Sequence, residues 1–374
     1  MRILIVCTCP ILPELGLAQG HLNLAAALRK VGHEVMVWSP LPVKTGMHWA
    51  VHAWNVRANL RAFLRREPPF DVVDCPPVLV SRAVMQPGGR WIARSTQPDV
   101  LYGWETLRGS LGLSSQALAR TAINGGWWAF NSFLTYRGMS AGHVILCHGA
   151  QERAWIAASF PWLRPKLHTY EAAISDDDRS ALARVRRERR ERQSRASVEP
   201  VRYLWIGRWT EHKGIDLLTA FLSSRIARST NERFTIAGCG REGERALAAL
   251  SATGCVRVVP SYRRADLPEL LAAHDAGLFT SRAEGWGLVL NEMVESGLPV
   301  YATRAGGVDE IRSVLGAFVP EFPPAVGAQP PSPPGEEVFA RYGARFRWDA
   351  VAERYLRALG DVRPGGGRVL ACGA

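Results

Sequence analysis

The stretch from Thr280 to Val300, TSRAEGWGLVLNEMVESGLPV, admits few folds. Ala276 to Thr280 reads as a buried strand, and Gly285-Trp286-Gly287 reads as a tight turn. The apolar run from Leu288 to Val294 reads as a helix that stops at Gly297 and Pro299. A buried strand, a glycine turn and a helix make the repeating unit of a parallel α/β sheet. A helix that starts at a glycine turn presents free backbone N–H groups and a positive dipole end, which suits a phosphate or another anion. Glycine also lets a ligand approach the backbone closely. Two carboxylates flank this start: Glu284 at the turn and Glu292 about one turn into the helix. Carboxylates at that spacing suit paired hydroxyls, as on a ribose or a hexose.

The same unit occurs elsewhere in the chain. Arg2 to Thr8 holds the continuous apolar run Ile3-Leu4-Ile5-Val6, the pattern of a strand buried on both faces. A loop from Cys9 to Gln19, containing Gly16, leads to a helix from Gly20 to Val31, and Glu34 to Trp38 is the next strand. This is the opening of a Rossmann-like domain. His21 and His33 read as packing residues of that helix and its end. A helix from His48 to Arg66 and strands at Phe70 to Asp74, Arg90 to Arg94 and Val144 to Cys147 continue the pattern. In an open parallel sheet the functional loops lie past the carboxyl ends of the strands. The loop Ser95 to Asp99 is one of these. Asp99 fits two roles there, facing a substrate or capping the next helix.

Val201 to Ile206 restarts the pattern and is followed by GRWTEHKG. Arg208 and Lys213 stand on that strand-to-helix loop. A guanidinium fork and an ammonium point charge at a helix start are well placed for a diphosphate. A second glycine turn, Gly306-Gly307, follows the strand Pro299 to Thr303. Pro320 to Pro334 contains seven prolines and reads as a loop. From Phe346 onward, Trp348, Val351, Tyr355 and Leu356 mark an amphipathic helix.

A chain of 374 residues has room for two domains, and 47% hydrophobic against 21% charged residues is a globular balance. No apolar run is long enough to span a bilayer. The seven cysteines are odd in number and lack C-x-x-C spacing, as expected of reduced thiols in a cytoplasm without a structural zinc site. The net charge is +12, and half of it lies in Arg179 to Arg195, with eight arginines against two glutamates. That run reads as a solvated helix laced with Arg–Glu pairs. No nucleic-acid-binding signature accompanies it, and no nucleic-acid partner is expected. Gly125 to Tyr136, GGWWAFNSFLTY, is unusually aromatic. Core packing is its first reading. A wall of an acceptor pocket, or peripheral contact with a membrane, remains open.

The segment Glu284 to Glu292, with Gly285-Trp286-Gly287 between, resembles the signature of the family-4 retaining glycosyltransferases. Arg208 and Lys213 match that family's Gly-Arg…Lys-Gly motif, and Gly306-Gly307 its second glycine turn. The resemblance implies the GT-B arrangement, two Rossmann-like domains facing across a cleft. The first domain would be residues 1–175 and bind the acceptor. The second would be 200–345 and bind a nucleoside-diphosphate sugar. A helix at 346–360 would cross back to the first domain, leaving 361–374 as a tail. The resemblance also implies residue roles. Glu284 faces the donor sugar, with Arg208 and Lys213 on its diphosphate. Glu292 holds the ribose. Gly285, Trp286, Gly287 and Leu288, with Gly306 and Gly307, approach the sugar and phosphates. Gly16 faces the cleft, although the family's paired glycine is replaced by Leu15-Gly16. The acceptor loop lacks the family's histidine, which leaves Asp99 as its carboxylate. No bound metal or cofactor is expected beyond the donor. The expected reaction is transfer of a sugar, with retained configuration, to a small natural product or a cell-envelope lipid or glycan. The site would be cytoplasmic, with peripheral membrane contact compatible. Two further readings are a sugar-nucleotide epimerase and a non-catalytic protein that binds anionic surfaces.

Overall fold

A computed structural model describes residues 1–12, 15–41, 49–109, 115–193, 200–228 and 231–360. The tail expected at 361–374 lies outside the described residues. The chain forms two parallel sheets. The first joins β1 (Arg2–Val6), β2 (Glu34–Trp38), β3 (Val72–Cys75), β4 (Arg90–Arg94), β5 (Val144–His148) and β6 (Leu167–Tyr170), in the order β2-β1-β3-β4-β5-β6. The second joins β7 (Val201–Ile206), β8 (Glu232–Ala237), β9 (Val256–Val259), β10 (Ala276–Phe279) and β11 (Val300–Ala302), in the order β11-β10-β7-β8-β9. All their pairings are parallel.

Helices flank the first sheet: α1 (Gly16–Lys30), α2 (Trp49–Arg66), α3 (Asp99–Gly109), α4 (Ser115–Ala141) and α5 (Gly149–Ser159). The linking helix α6 (Asp176–Gln193) precedes the second sheet. Around that sheet lie α7 (Ile215–Ala227), α8 (Gly240–Ala246), α9 (Ala248–Ser251), α10 (Leu267–Ala272), α11 (Leu288–Glu295) and α12 (Val308–Leu315). The chain closes with α13 (Glu336–Arg345) and α14 (Trp348–Gly360).

The unbroken apolar runs at β1, β5 and β10 are buried throughout, as strands covered on both faces must be. One expectation of element placement changes: the α1 helix begins at Gly16, so Leu15-Gly16 is a helix start rather than part of a longer loop. His21 is buried and its Nδ1 lies 2.6 Å from the Leu17 carbonyl oxygen, in keeping with the packing role.

The arginine run is the main correction. Arg189 is buried and donates to the carbonyls of His274 (2.5 Å) and Leu271 (2.7 Å). Arg186 donates to the Glu295 carbonyl at 2.7 Å and to its carboxylate at 3.1 Å, and Arg179 also pairs with that carboxylate. The last carbonyls of a helix have no partner within it. Here α6 supplies arginine donors to the C-terminal ends of α10 and α11. One side of the run, Arg179, Arg186 and Arg189, is therefore a clamp that docks α6 on the second sheet, while Arg184 and Arg187 stay exposed as the solvated reading expects.

The last helix returns to the first sheet. Arg90, at the start of β4, donates to the Leu359 carbonyl. Trp348 lies against Gly20 of α1, and Tyr355 reaches the buried Asp74 of β3.

Candidate active site between the two sheets

Both sheets point the carboxyl ends of their strands at one shared region. Lys213 follows β7 and Glu284 follows β10, and the two side chains form an ion pair. The Ser281 hydroxyl donates to the same Glu284 carboxylate at 2.8 Å, and Glu284 is buried. Arg208 stands on the same loop as Lys213 and is exposed. Glu292 lies on α11, buried, with Arg264 at 2.5 Å and Asp178 on the other side of that guanidinium at 2.9 Å. Burial pushes the Glu292 carboxyl up, and Arg264 opposes that shift.

Two glycines show why the turn needs them. Gly287 is the N-cap of α11 with φ +86°, a left-handed conformation that disfavours side chains. A Cβ on Gly285 would lie 2.5 Å from the Thr96 carbonyl oxygen of the first sheet's loop. The turn after β10 therefore packs directly on the loop after β4. Gly16 faces Leu288 across the same gap, with 3.7 Å between the position of a Cβ and the Leu288 side chain. A Cβ on Gly306 would lie 3.0 Å from the Glu284 Cβ, so the second glycine turn stacks on the first. Gly307 lies over the Trp286 indole.

The Trp286 side chain is turned away from the cavity, while its amide stays on the turn as expected of it. Its indole is buried, donates to Asn291 Oδ1 at 2.6 Å and packs against Phe346. Asn291 in turn donates to the Tyr342 hydroxyl at 2.8 Å. The side chain holds the turn to α13 and does not face the cleft; only the backbone of Trp286 belongs to the turn's surface.

A cavity of about 190 Å³ lies between the sheets. Arg282, Ala283, Glu284 and Gly306 line one side, and His148, Gln151, Glu152 and Trp155 line the other. Asp99 is not in its wall. It is the first residue of α3, its carboxyl pushed up to about 7 by burial, and it borders a separate void of about 10 Å³. Two first-domain carboxylates do line the larger cavity, Glu105 of α3 and the buried Glu152. Ser95 Oγ donates to Glu152 at 2.6 Å and the His148 backbone N–H at 2.7 Å. Burial pushes the Glu152 carboxyl up to about 7. His148 ends β5, and burial lowers its imidazole to about 3, so the ring is neutral.

Tyr102 of α3 completes the contact between the sheets. Its ring lies 4.2 Å from that of His212, and burial, then the Glu284 carboxylate, raise its hydroxyl, which stays protonated beside that carboxylate. Sequence reasoning missed Tyr102, His148 and Glu152. The strand-end rule pointed to the residues after β5 as much as to those after β4, and His148 stands at that end. Among the described residues, no group of three His, Cys, Asp or Glu side chains is placed to hold a metal ion.

Comparison with known proteins agrees with this architecture. Residues 200–327 match the model of the glycosyl transferases group 1 family. A stretch of 121 residues is 31% identical to the phosphatidylinositol N-acetylglucosaminyltransferase gpi3 subunit of Schizosaccharomyces pombe, covering 32% of this chain and 26% of that protein. The chain thus matches about a quarter of that relative's length. Over nearly the whole chain the fold superposes on solved structures. Sucrose-phosphate synthase from Thermosynechococcus elongatus gives a TM-score of 0.67 at 15% identity, over 96% of this chain and 99% of that one. The Anabaena protein Alr3699/HepE, solved in complex with UDP, gives 0.59 at 14% identity, over 97% of this chain and 100% of that one. The glycosyltransferase WaaG of lipopolysaccharide biosynthesis gives 0.59 at 18% identity, over 96% and 95%. The chain has the GT-B fold, and its residues 200–327 are similar to the glycosyl transferases group 1 family.

Proposed function

We propose that this protein transfers a sugar from a nucleoside diphosphate to an acceptor hydroxyl, with retained configuration and without a bound metal. The observation that carries this reading is the Lys213–Glu284 ion pair beside the Gly287 cap of α11, with Glu284 in the wall of a cavity whose opposite wall belongs to the first sheet. In the reaction the bond between the anomeric carbon and the diphosphate oxygen breaks, and a bond from that carbon to the acceptor oxygen forms on the same face. The acceptor proton leaves with the diphosphate. The demand on the protein is the negative charge growing on the leaving group. Arg208, Lys213 and the N–H groups at the start of α11 supply the counter-charge electrostatically. Lys213 is now paired with Glu284, so a bound donor would take over part of that pairing. Glu284 then accepts from the sugar hydroxyls, and Glu292, oriented by Arg264, accepts from the ribose. The acceptor hydroxyl sits on the Glu152 side of the cavity.

The test is to incubate the protein with nucleotide sugars and candidate acceptors and to look for both products. Release of nucleoside diphosphate together with a glycosylated acceptor supports transfer. A changed sugar on an intact nucleotide, with no glycosylated product, identifies an epimerase instead. Glu292→Ala is expected to weaken nucleotide affinity by about 1.5–3 kcal/mol, the range for hydrogen bonds to a charged group. Calorimetric titration reads this directly, and an unaltered Kd removes Glu292 from the site.

A further inference from the structure

The face of the first domain formed by α2, α4 and the short helix Pro161–Lys166 has no role in the chemistry above. On α4, Leu118, Ile123 and Phe133 are exposed along one side, with Ile123 65% exposed. Leu118 to Phe133 spans about 22 Å of helix at 1.5 Å per residue. At the edges stand Trp54 of α2, 67% exposed, and Trp162, 62% exposed. These elements are neighbours. Arg57 of α2 and Arg137 of α4 lie close enough for their charges to interact, and Tyr136 of α4 packs edge-on against Trp162 at 6.4 Å.

The charge of this face has one sign. Residues 49–66, 115–141 and 161–166 contain eight Lys and Arg and no Asp or Glu. Arg61, Arg65 and Arg137 are exposed. We propose that this face docks the protein on an anionic lipid bilayer. Apolar side chains of α4 would enter the boundary of the acyl chains, Trp54 and Trp162 would sit at headgroup level, and the arginines would pair with anionic headgroups. Charge selects this occupant. A second copy of the chain would bring the same positive field against itself. Among the described residues no helix is long and apolar enough to cross a membrane, so the contact is peripheral. The face also lies beside the cleft. Trp155, in the cavity wall, packs edge-on against Phe160, which packs against exposed Trp162. A bilayer on this face would hold a lipid-borne acceptor next to the acceptor side of the cavity.

The experiment is co-sedimentation of the full chain with vesicles. Vesicles of phosphatidylcholine mixed with phosphatidylglycerol are compared with phosphatidylcholine alone, at low and high salt. The wild type is expected to sediment with the anionic vesicles, and less so at high salt or with neutral lipid. The pair Ile123→Glu with Phe133→Glu, and separately Arg61→Glu with Arg65→Glu, are each expected to reduce binding at least about tenfold. All four positions are exposed, and circular dichroism checks that each variant folds. Nucleotide-induced thermal shifts should be the same in both variants as in the wild type, which separates this claim from the donor site. Failure of the wild type to bind anionic vesicles, or unreduced binding by both variants, overturns the proposal. So does a dimer by sedimentation velocity that Ile123→Glu with Phe133→Glu converts to monomer, because the face is then a contact between copies.

Discussion

Replacing Lys213 with alanine is expected to lower turnover about a hundred- to a thousandfold while the protein stays folded. This is the usual cost of removing one group that stabilises charge developing in a transition state. The fold should survive because the main-chain role of Lys213 is independent of its side chain: its carbonyl accepts from the Thr280 hydroxyl at 2.7 Å. Glu284 loses its ammonium partner but keeps the Ser281 hydroxyl at 2.8 Å. Steady-state kinetics reads kcat and KM separately. A fall in kcat with little change in KM places Lys213 on the transition state. A rise in KM alone means that it binds the ground state and the transition state equally. Unchanged kcat/KM would remove it from the reaction.

The largest effect on stability is expected at Asp74. This carboxylate lies in β3, is fully buried, and accepts from Arg94 Nε of the next strand at 2.9 Å. Burial alone would lower the Arg94 guanidinium, and the Asp74 charge beside it raises it instead, so Arg94 is cationic in the folded chain. Asp74→Ala leaves that cation buried without its counter-charge. Breaking a buried pair from one side costs about 3–5 kcal/mol. Urea denaturation should show a loss in that range. The double variant Asp74→Ala with Arg94→Met, which removes both charges, should recover a large part of it. A loss below about 1 kcal/mol for the single variant, or a double variant worse than the single, would show that the pair does not hold this end of the sheet.

Why one part of this site is legible in the sequence and another is not follows from the range of the interactions. The strand, turn and helix at 276–295 are encoded by neighbours. The apolar run buries the strand, Gly287 sets the left-handed cap, and the two glutamates come on the same short segment. Arg208 and Lys213 are legible for the same reason, as cations at a strand end. Trp286 is not, because what takes its indole includes Phe346 and, through Asn291, Tyr342, more than fifty residues on. Arg186 and Arg189 of α6 read as solvated because their partners are carbonyls 82 to 109 residues away, and a sequence does not display backbone acceptors. Glu152, His148 and Tyr102 join the site only through the approach of the two sheets. Asp99, placed well by its position after a strand, is turned instead to a smaller void.

A nucleotide site built from Arg208, Lys213 and Glu292 is tested most directly by a thermal-shift titration with UDP, GDP, ADP and dTDP. A ligand that binds only the folded state stabilises it by about 2.7 kcal/mol when present at about a hundred times its Kd. At least one of the four is expected to raise the melting temperature, and the rise should shrink in Arg208→Ala and in Glu292→Ala. No rise with any of them, or a rise that both variants leave intact, would contradict a nucleotide site at this place in the fold.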